Sequence, residues 1–490
     1  MKCTVIGVTE ETNGLSDEQL HEAKTFCGKN AGICYQREGY FGTSVSDPVK
    51  ASGRFPTVSS TGHHSIADHV RVEVLLEDVS KMLAIVLNSL QDYSTSEKSG
   101  RYTVMTGNSK EEQELYEKWL SIFKKRILEI EPSLDDDMLM TLMEKKGHDD
   151  VIISNGELNN DSMADSDEIH QNILQECKKN VSLPSTKMAQ ENARYVLSVF
   201  TRSTTMGYST SIRQWNYIYD WCKKYMSQYE FSNKLCGVRE NAVLVNKETG
   251  IEASYFEGEL YKDFDSLSTF IKDNLYVEEL RDNKNRCFEF LTSLSGDKDH
   301  PMANYDVVEP NILTGETDRF SDDDKLDVSY QVSYPASFVH IAQAERHRTL
   351  KYFMKFNPYN HDKVFFVPPC IKGTNWENEW LEDLKTVESF IPQATIVGII
   401  ETGNVSDFIL KCEERCCGRA QWEIMHQTEE TAKRFIATCA YGVASSTLKA
   451  YVKKFTGKNN SVATKCMMLG GCKERCRFGS KLDEVFTRKF

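Results

Sequence analysis

Gln343-Ala344-Glu345-Arg346-His347-Arg348 is the strongest cluster of chemically capable side chains in the second half of the chain. Two guanidiniums and an imidazole within three residues make a concentrated cationic site. Such a site suits an anion, or a ring system that gains negative charge as it reacts. The spacing places the cluster on a helix, where Gln343 shares a face with Arg346 and with His347 while Arg348 points elsewhere. A solvated basic helix face is the plainer reading of the hexapeptide alone. In the first half, Ser96-Glu97-Lys98-Ser99-Gly100-Arg101-Tyr102 sets a glycine between a hydroxyl and a guanidinium. Glycine lets the backbone approach a ligand closely. The local amides, the Ser99 hydroxyl and the Arg101 fork could then hold a phosphate. An ordinary turn is the alternative.

Gly62-His63-His64-Ser65-Ile66-Ala67-Asp68-His69 offers three imidazoles and a carboxylate. His64 and Asp68, four apart, fit one helical face and motivate a metal site. A packed or ligand-stacking histidine turn is the plainer reading. From Asn404 to Glu423 the chain predicts a helix with Arg415 and Arg419 on one face, followed by Ala420-Gln421-Trp422-Glu423. No C-x-x-C occurs, and only Cys466, Cys472 and Cys476 have ligand-like spacing. Ordinary thiols in a C-terminal turn account for them equally well.

The elements that must position these groups recur in one order. Val70, Val72, Val74 and Leu76 alternate with polar residues and predict a strand. Ser80 follows as an N-cap, and Met82, Ile85, Val86 and Leu90 carry a helix to about Tyr93. In the second half Val328, Tyr330, Val332 and Tyr334 alternate, Pro335 breaks the strand, and a helix from about Ala336 carries Phe338, Ile341, Ala342 and Leu350. Strand, helix and turn thus occur twice, a weak internal repeat. Residues 133–168, rich in Asp and Glu, read as an insertion loop. Residues 236–325 read as a softer joining region.

The 490 residues carry 59 Lys and Arg against 73 Asp and Glu, a net charge of −14. That balance excludes a general nucleic-acid or anionic-membrane binder, while leaving room for a local basic pocket. No run of about 20 apolar residues occurs, so no membrane span is expected. Met1-Lys2-Cys3-Thr4 leads at once into polar sequence, and the 15 cysteines are scattered. A cytoplasmic chain with reduced thiols is expected.

Together these fragments resemble the flavin-dependent thymidylate synthases. That family carries a Gly-His-x-Ser/Thr-x-x-Glu-His turn, a strand, and a helix bearing Gln-x-x-Arg-His-Arg that runs into Asn-Glu-x-Ser-x-Arg-Tyr. Late in its chain come Asn-x-Arg and an Arg shortly before Ala-Gln-x-Glu. Here the pattern is split over two copies. The first resembles the Gly-His turn at 62–69, with Asp68 for Glu, and the Ser-Gly-Arg-Tyr end at 99–102, preceded by Glu97. Ser89-Leu90-Gln91 stands where Arg-His-Arg would be. Ala31 to Tyr35, Glu191 to Arg194, Thr201-Arg202 and Arg213 also look family-like. The second copy has Gln343, Arg346, His347, Arg348, Asn404, Arg415 and Gln421 to Glu423. It lacks the Gly-His turn, where Ser321 to Asp324 stand, and the Ser-Gly-Arg-Tyr end, where Phe353 to Asn357 stand. Arg419 replaces a family histidine and Leu410 a family asparagine.

The resemblance implies an α+β fold: two copies of a unit of antiparallel sheet plus helices, paired as a pseudo-dimer. Residues 1–240 would form the first copy, with the acidic insertion at about 133–168. Residues 241–324 would connect the copies and begin the second, and 325–490 would form the second copy with its Cys-containing tail. In the family one subunit supplies the Arg-His-Arg helix and the late Arg, and its neighbour supplies Ser-Gly-Arg and another Arg for the nucleotide phosphate. The losses here are complementary, so one shared site is expected. The implied activity is methylation of dUMP to dTMP, with FAD as cofactor and 5,10-methylenetetrahydrofolate and NADPH as co-substrates. Arg346, His347, Arg348 and Arg415 would be catalytic. Glu97, Ser99, Gly100, Arg101, Arg202, Gln343 and Arg415 would bind dUMP. His63, Ser65, Arg346, His347, Arg348 and Asn404 would bind FAD. No resident metal, nucleic acid or membrane partner is implied, and a homodimer of tandem chains, a pseudo-tetramer, is the expected assembly. The alternatives are a related C5 modification such as hydroxymethylation, a non-catalytic partner protein, and a metallohydrolase built on His63, His64, Asp68 and His69.

Overall fold

Short strands capped by amphipathic helices alternate along most of the chain. In chain order the elements are α1 (Asp17–Tyr35), α2 (Thr43–Ser46), α3 (Pro48–Ser60), β1 (Arg71–Ser80), α4 (Lys81–Asn88), β2 (Ser94–Glu97), α5 (Lys110–Ile130), β3 (Ile152–Ser154), β4 (Glu157–Asn159), α6 (Pro184–Ala193), β5 (Arg202–Ser211), α7 (Ile212–Lys234), α8 (Tyr255–Asn274), β6 (Asn311–Leu313), β7 (Ser329–Ser337), α9 (Phe338–Ala344), β8 (Lys351–Lys355), α10 (Asn375–Thr386), β9 (Ile396–Asn404), α11 (Val405–Arg415), α12 (Trp422–Ala440) and α13 (Ser446–Val452). The computed structural model describes residues 14–35, 41–61, 63–90, 92–100, 103–136, 138, 152–154, 157–159, 183–234, 255–281, 311–313, 328–356, 363–440, 446–468, 472 and 484–490. The chain forms two compact units that interleave in sequence. The first holds Met1–Leu76, Asp92–Ser96 and Met206–Glu289; the second holds Glu77–Gln91, Glu97–Thr205 and Phe290–Phe490. Units and copies are therefore different divisions of the chain.

In the first unit, Asp47 caps α3 by accepting from the amides of Val49 at 2.9 Å and Lys50 at 3.0 Å, and Pro48 opens the helix. α1 packs closely on α3. A Cβ at Gly28 would fall 1.9 Å from the Ala51 carbonyl oxygen, so only glycine permits that approach. Cys27, Ala31, Phe55, Ile66, Ala67, Ile212, Val277 and Leu280 form the core beside it.

The second unit contains segments of both copies. Its four-stranded sheet runs β6-β7-β9-β8, with β7, β9 and β8 paired antiparallel. The first-copy strands run β1-β5-β2, the same order as β7-β9-β8. Ser80 accepts from Leu83 N at 2.9 Å and Ser337 from His340 N at 3.2 Å, so both copies leave the strand through a capping serine. The helices so started, α4 and α9, pack against each other. Leu197 and Val199 of the first copy exchange backbone hydrogen bonds with Gln393 and Ile391 of the second, at 2.8 and 3.0 Å. Trp119 of α5 stacks edge-on against Trp380 of α10, and its indole donates to Asp383 at 2.7 Å. Both rings are fully buried, in a core that also takes Phe123, Ile127 and Leu384.

Three expectations change. Pro335 lies inside β7, opposite Gly398, and does not end the strand. β6 reaches only Ser329–Gln331 of β7. Beyond that point β7 is paired on one side among the described residues, where a residue without an N–H is tolerated. α4 stops at Asn88, short of Tyr93, and α9 stops at Ala344, short of Leu350. Leu90 and Leu350 instead lie in the turns leading to β2 and β8. The acidic insertion and the joining region fall largely outside the described residues; within the insertion, β3 and β4 pair antiparallel. Among the described residues no helix is long and apolar enough to cross a membrane.

Candidate active site

Arg346, His347 and Arg348 sit in a tight turn after α9 and not on the helix itself. Arg346 N donates to Gln343 O at 3.4 Å and His347 N to Ala344 O at 2.9 Å, which tightens the chain as it leaves the helix. Arg346 and Arg348 are exposed, and His347 is buried between them. Arg415 ends α11 and donates from Nε to His347 Nε2 at 2.8 Å. Arg419 lies past the end of α11, so the shared helical face with Arg415 does not form. Burial, then the charges of Arg415 and Lys411, push His347 down to about 2. Its ring is therefore neutral, with Nε2 as acceptor and the proton on Nδ1.

A histidine held neutral in the fold but protonated when unfolded below about pH 6.5 makes the unfolded state the proton acceptor. Stability then falls as pH drops below about 6.5 and is untouched above it. Replacing His347 with Asn should flatten that acid slope by about one proton, or ~1.4 kcal/mol per pH unit. Urea unfolding at pH 5 and 7 measures it, and an unchanged slope would contradict the neutral assignment.

Beneath this turn lies a buried polar cluster. Glu401 accepts from Tyr330 at 2.7 Å, Tyr334 at 2.6 Å and Lys411 at 2.6 Å, and His340 Nε2 lies 3.2 Å from the Tyr334 hydroxyl. A buried charge pair is tolerated when its hydrogen bonds are this complete.

First-copy residues meet the turn within the second unit. Arg346 Nη1 lies 3.6 Å from Glu97, and the other Glu97 oxygen pairs with Lys81. Gly100 is buried beside Arg194: a Cβ there would lie 3.4 Å from Arg194 Cδ and 3.5 Å from its Nη1. Arg194 donates to Gln421 at 2.7 Å, Gln421 to the Tyr195 hydroxyl at 2.7 Å, and Tyr195 to Glu423 at 2.6 Å. Glu423 also accepts from Ser337 N at 2.7 Å and Ser337 Oγ at 2.6 Å. Two residues of the first copy and three of the second thus form one buried chain. Burial raises the Glu423 carboxyl, while the Ser337 and Tyr195 hydrogen bonds pull it down.

Sequence reasoning missed Lys81, and it missed the roles of Arg194, Tyr195 and Glu423. Lys81 had one signal: a cation at the first turn of a helix opposes the macrodipole and calls for a partner. Tyr195 and Glu423 are joined only by folding.

The remaining candidates are scattered by comparison. Ser99 O accepts from Thr103 N at 3.1 Å, and Gln343 Nε2 reaches Val339 O at 3.3 Å. Arg202 is exposed at the start of β5, its amide bonded to Asn108 at 2.9 Å. Asn404 accepts from Ser329 at 3.2 Å. Arg101 lies outside the described residues, as do Gly62 and Cys476. His63 and Ser65 belong to the first unit and are exposed. In that unit Asp68 accepts from Ser211 at 2.9 Å and pairs with Arg213 at 2.7 Å, while His64 Nδ1 lies 3.1 Å from the Tyr217 hydroxyl. The carboxylate of the proposed metal set is thus engaged by a guanidinium. Among the described residues no group of three or more His, Cys, Asp and Glu is placed to hold a metal.

A family model described as thymidylate synthase complementing protein matches residues 18–236 and 327–439. No curated protein matches the chain. The two matched segments cover more than half of the chain, one in each copy, and the chain belongs to the thymidylate synthase complementing protein family.

Proposed function

We propose that the chain is a flavin-dependent thymidylate synthase, converting dUMP to dTMP at one site built from both copies. Family membership supports thymidylate synthase-type activity. The observation that carries the two-copy site is the approach of Arg346 to Glu97 at 3.6 Å, which joins the copy holding Arg-His-Arg to the copy holding Ser-Gly-Arg.

The donor set fits an anionic nucleotide and a flavin. Arg346 and Arg348 present exposed guanidiniums. A Cβ at Gly100 would lie 3.5 Å from Arg194 Nη1, so the glycine keeps the backbone close to this guanidinium. Bound FAD would supply the hydride, methylenetetrahydrofolate the one-carbon unit, and NADPH the electrons that restore the flavin. Arg346 and Arg348 would bind the electron-rich carbonyls of flavin and pyrimidine through charge-assisted hydrogen bonds. His347, fixed as a neutral acceptor, orients Arg415, which with Gln343 would complete the uracil side. Ser99, Gly100, Arg101 and Arg202 would hold the nucleotide phosphate. Asn404 is the remaining FAD candidate within the second unit.

The near-UV and visible spectrum of the purified protein, with and without dUMP, tests this reading. Flavin absorbance that shifts on adding dUMP is expected. A colourless protein that takes up no added FAD would contradict it.

A further inference from the structure

Lys81 is the first residue of α4, where the helix dipole disfavours a cation. Its side chain is only 12% exposed and pairs with Glu97, itself 7% exposed. Arg346, 37% exposed, approaches the other Glu97 oxygen. One nearly buried carboxylate is thus shared by two cations, one from each copy. Burial, then the Glu97 charge, push the carboxyl of Glu345 well above the usual range.

The repeat supplies an independent comparison. α4 and α9 follow Ser80 and Ser337 directly, and β2 and β8 begin at the same distance beyond them. In that register Lys81 matches Phe338, Glu97 matches Met354, and Ser89 matches Arg346. Phe338 and Met354 are both fully buried. The three charged groups are present together at one end of the repeat and absent together at the other. A lysine kept only to meet solvent would not follow the other two.

We infer that Lys81 is a positioning residue of the proposed nucleotide site, holding Glu97 in place while Arg346 turns from Glu97 to the ligand. The inference rests on the reading of that site as one that binds dUMP. With Lys81 present, Glu97 keeps a partner when Arg346 leaves. Without it, ligand binding must take from a nearly buried carboxylate the second of the two cations it pairs with among the described residues, which is costly.

The test compares Lys81→Met and Lys81→Arg in the full chain, each alone and with Glu97→Gln, by calorimetric titration with dUMP. Lys81→Met is expected to weaken binding roughly tenfold or more. Lys81→Arg should bind close to wild type. In the Glu97→Gln background Lys81→Met should add no further loss, because no charge remains to be held. Wild-type affinity in Lys81→Met, or the same loss in both backgrounds, would overturn the inference. A crystal structure of the ligand-free Lys81→Met variant tests the positioning of Glu97 by itself, and a wild type that binds no dUMP would refute the proposed activity separately. Glu97 drawn onto Arg346 supports the inference, and Glu97 unmoved overturns it.

Discussion

Replacing Glu423 with Ala is expected to destabilise the folded chain by about 3–5 kcal/mol. Three donors converge on this buried carboxyl: Ser337 N, Ser337 Oγ and the Tyr195 hydroxyl. Ser337 also caps α9, so the same hydroxyl fixes the start of the helix that leads to Arg346. Alanine leaves all three donors buried without the acceptor, and each such loss is expensive in a water-free interior. The Glu423→Gln variant keeps one acceptor oxygen but aims an amide at a donor, so it should recover part of the loss. Urea unfolding at constant m-value measures both variants. A cost below about 1 kcal/mol for Glu423→Ala would show that the cross-copy chain is not a structural clamp.

Arg346→Ala is expected to weaken flavin and dUMP binding by about 1.5–3 kcal/mol, roughly tenfold to a hundredfold. Ser89→Ala, at the matching position of the first copy, should leave both nearly unchanged. Ser89 caps the C-terminal end of α4, and its hydroxyl donates within its own turn to Val86 O at 2.6 Å. Arg346 is an exposed cation beside a carboxylate of the other copy. Titration of both variants with FAD and dUMP separates the positions, and equal effects would overturn the assignment of a single site.

Much of the local architecture is legible in the sequence because it is written in short range. Alternating Val72 and Val74 give β1, Ser80 marks the start of α4, and the same order returns at β7 and α9. The places where the reading fails need information from far away. Pro335 is a strand breaker by local rules, yet the short reach of β6 leaves it a tolerated place in β7. The spacing of Gln343, Arg346 and His347 fits a helix, but the chain exits that helix at Ala344, so Gln343 stays on it while Arg346, His347 and Arg348 are delivered from a turn. Arg194 and Gln421 each belong to a family-like stretch, but nothing local pairs them, and only folding brings them to 2.7 Å. Lys81 escapes notice for the same reason, since its partner Glu97 lies beyond the end of its helix.

The central claim is that one chain completes the site from its own two copies. Co-expressing a Glu97→Ala variant with an Arg346→Ala variant, and assaying dTMP formation by the purified mixed assembly, tests it most directly. Glu97 and Arg346 approach each other within a single chain, so each variant chain carries a broken site and the mixture should be no more active than either variant alone. Activity well above that of both single variants would mean that the site forms between chains, and would contradict a site completed within one.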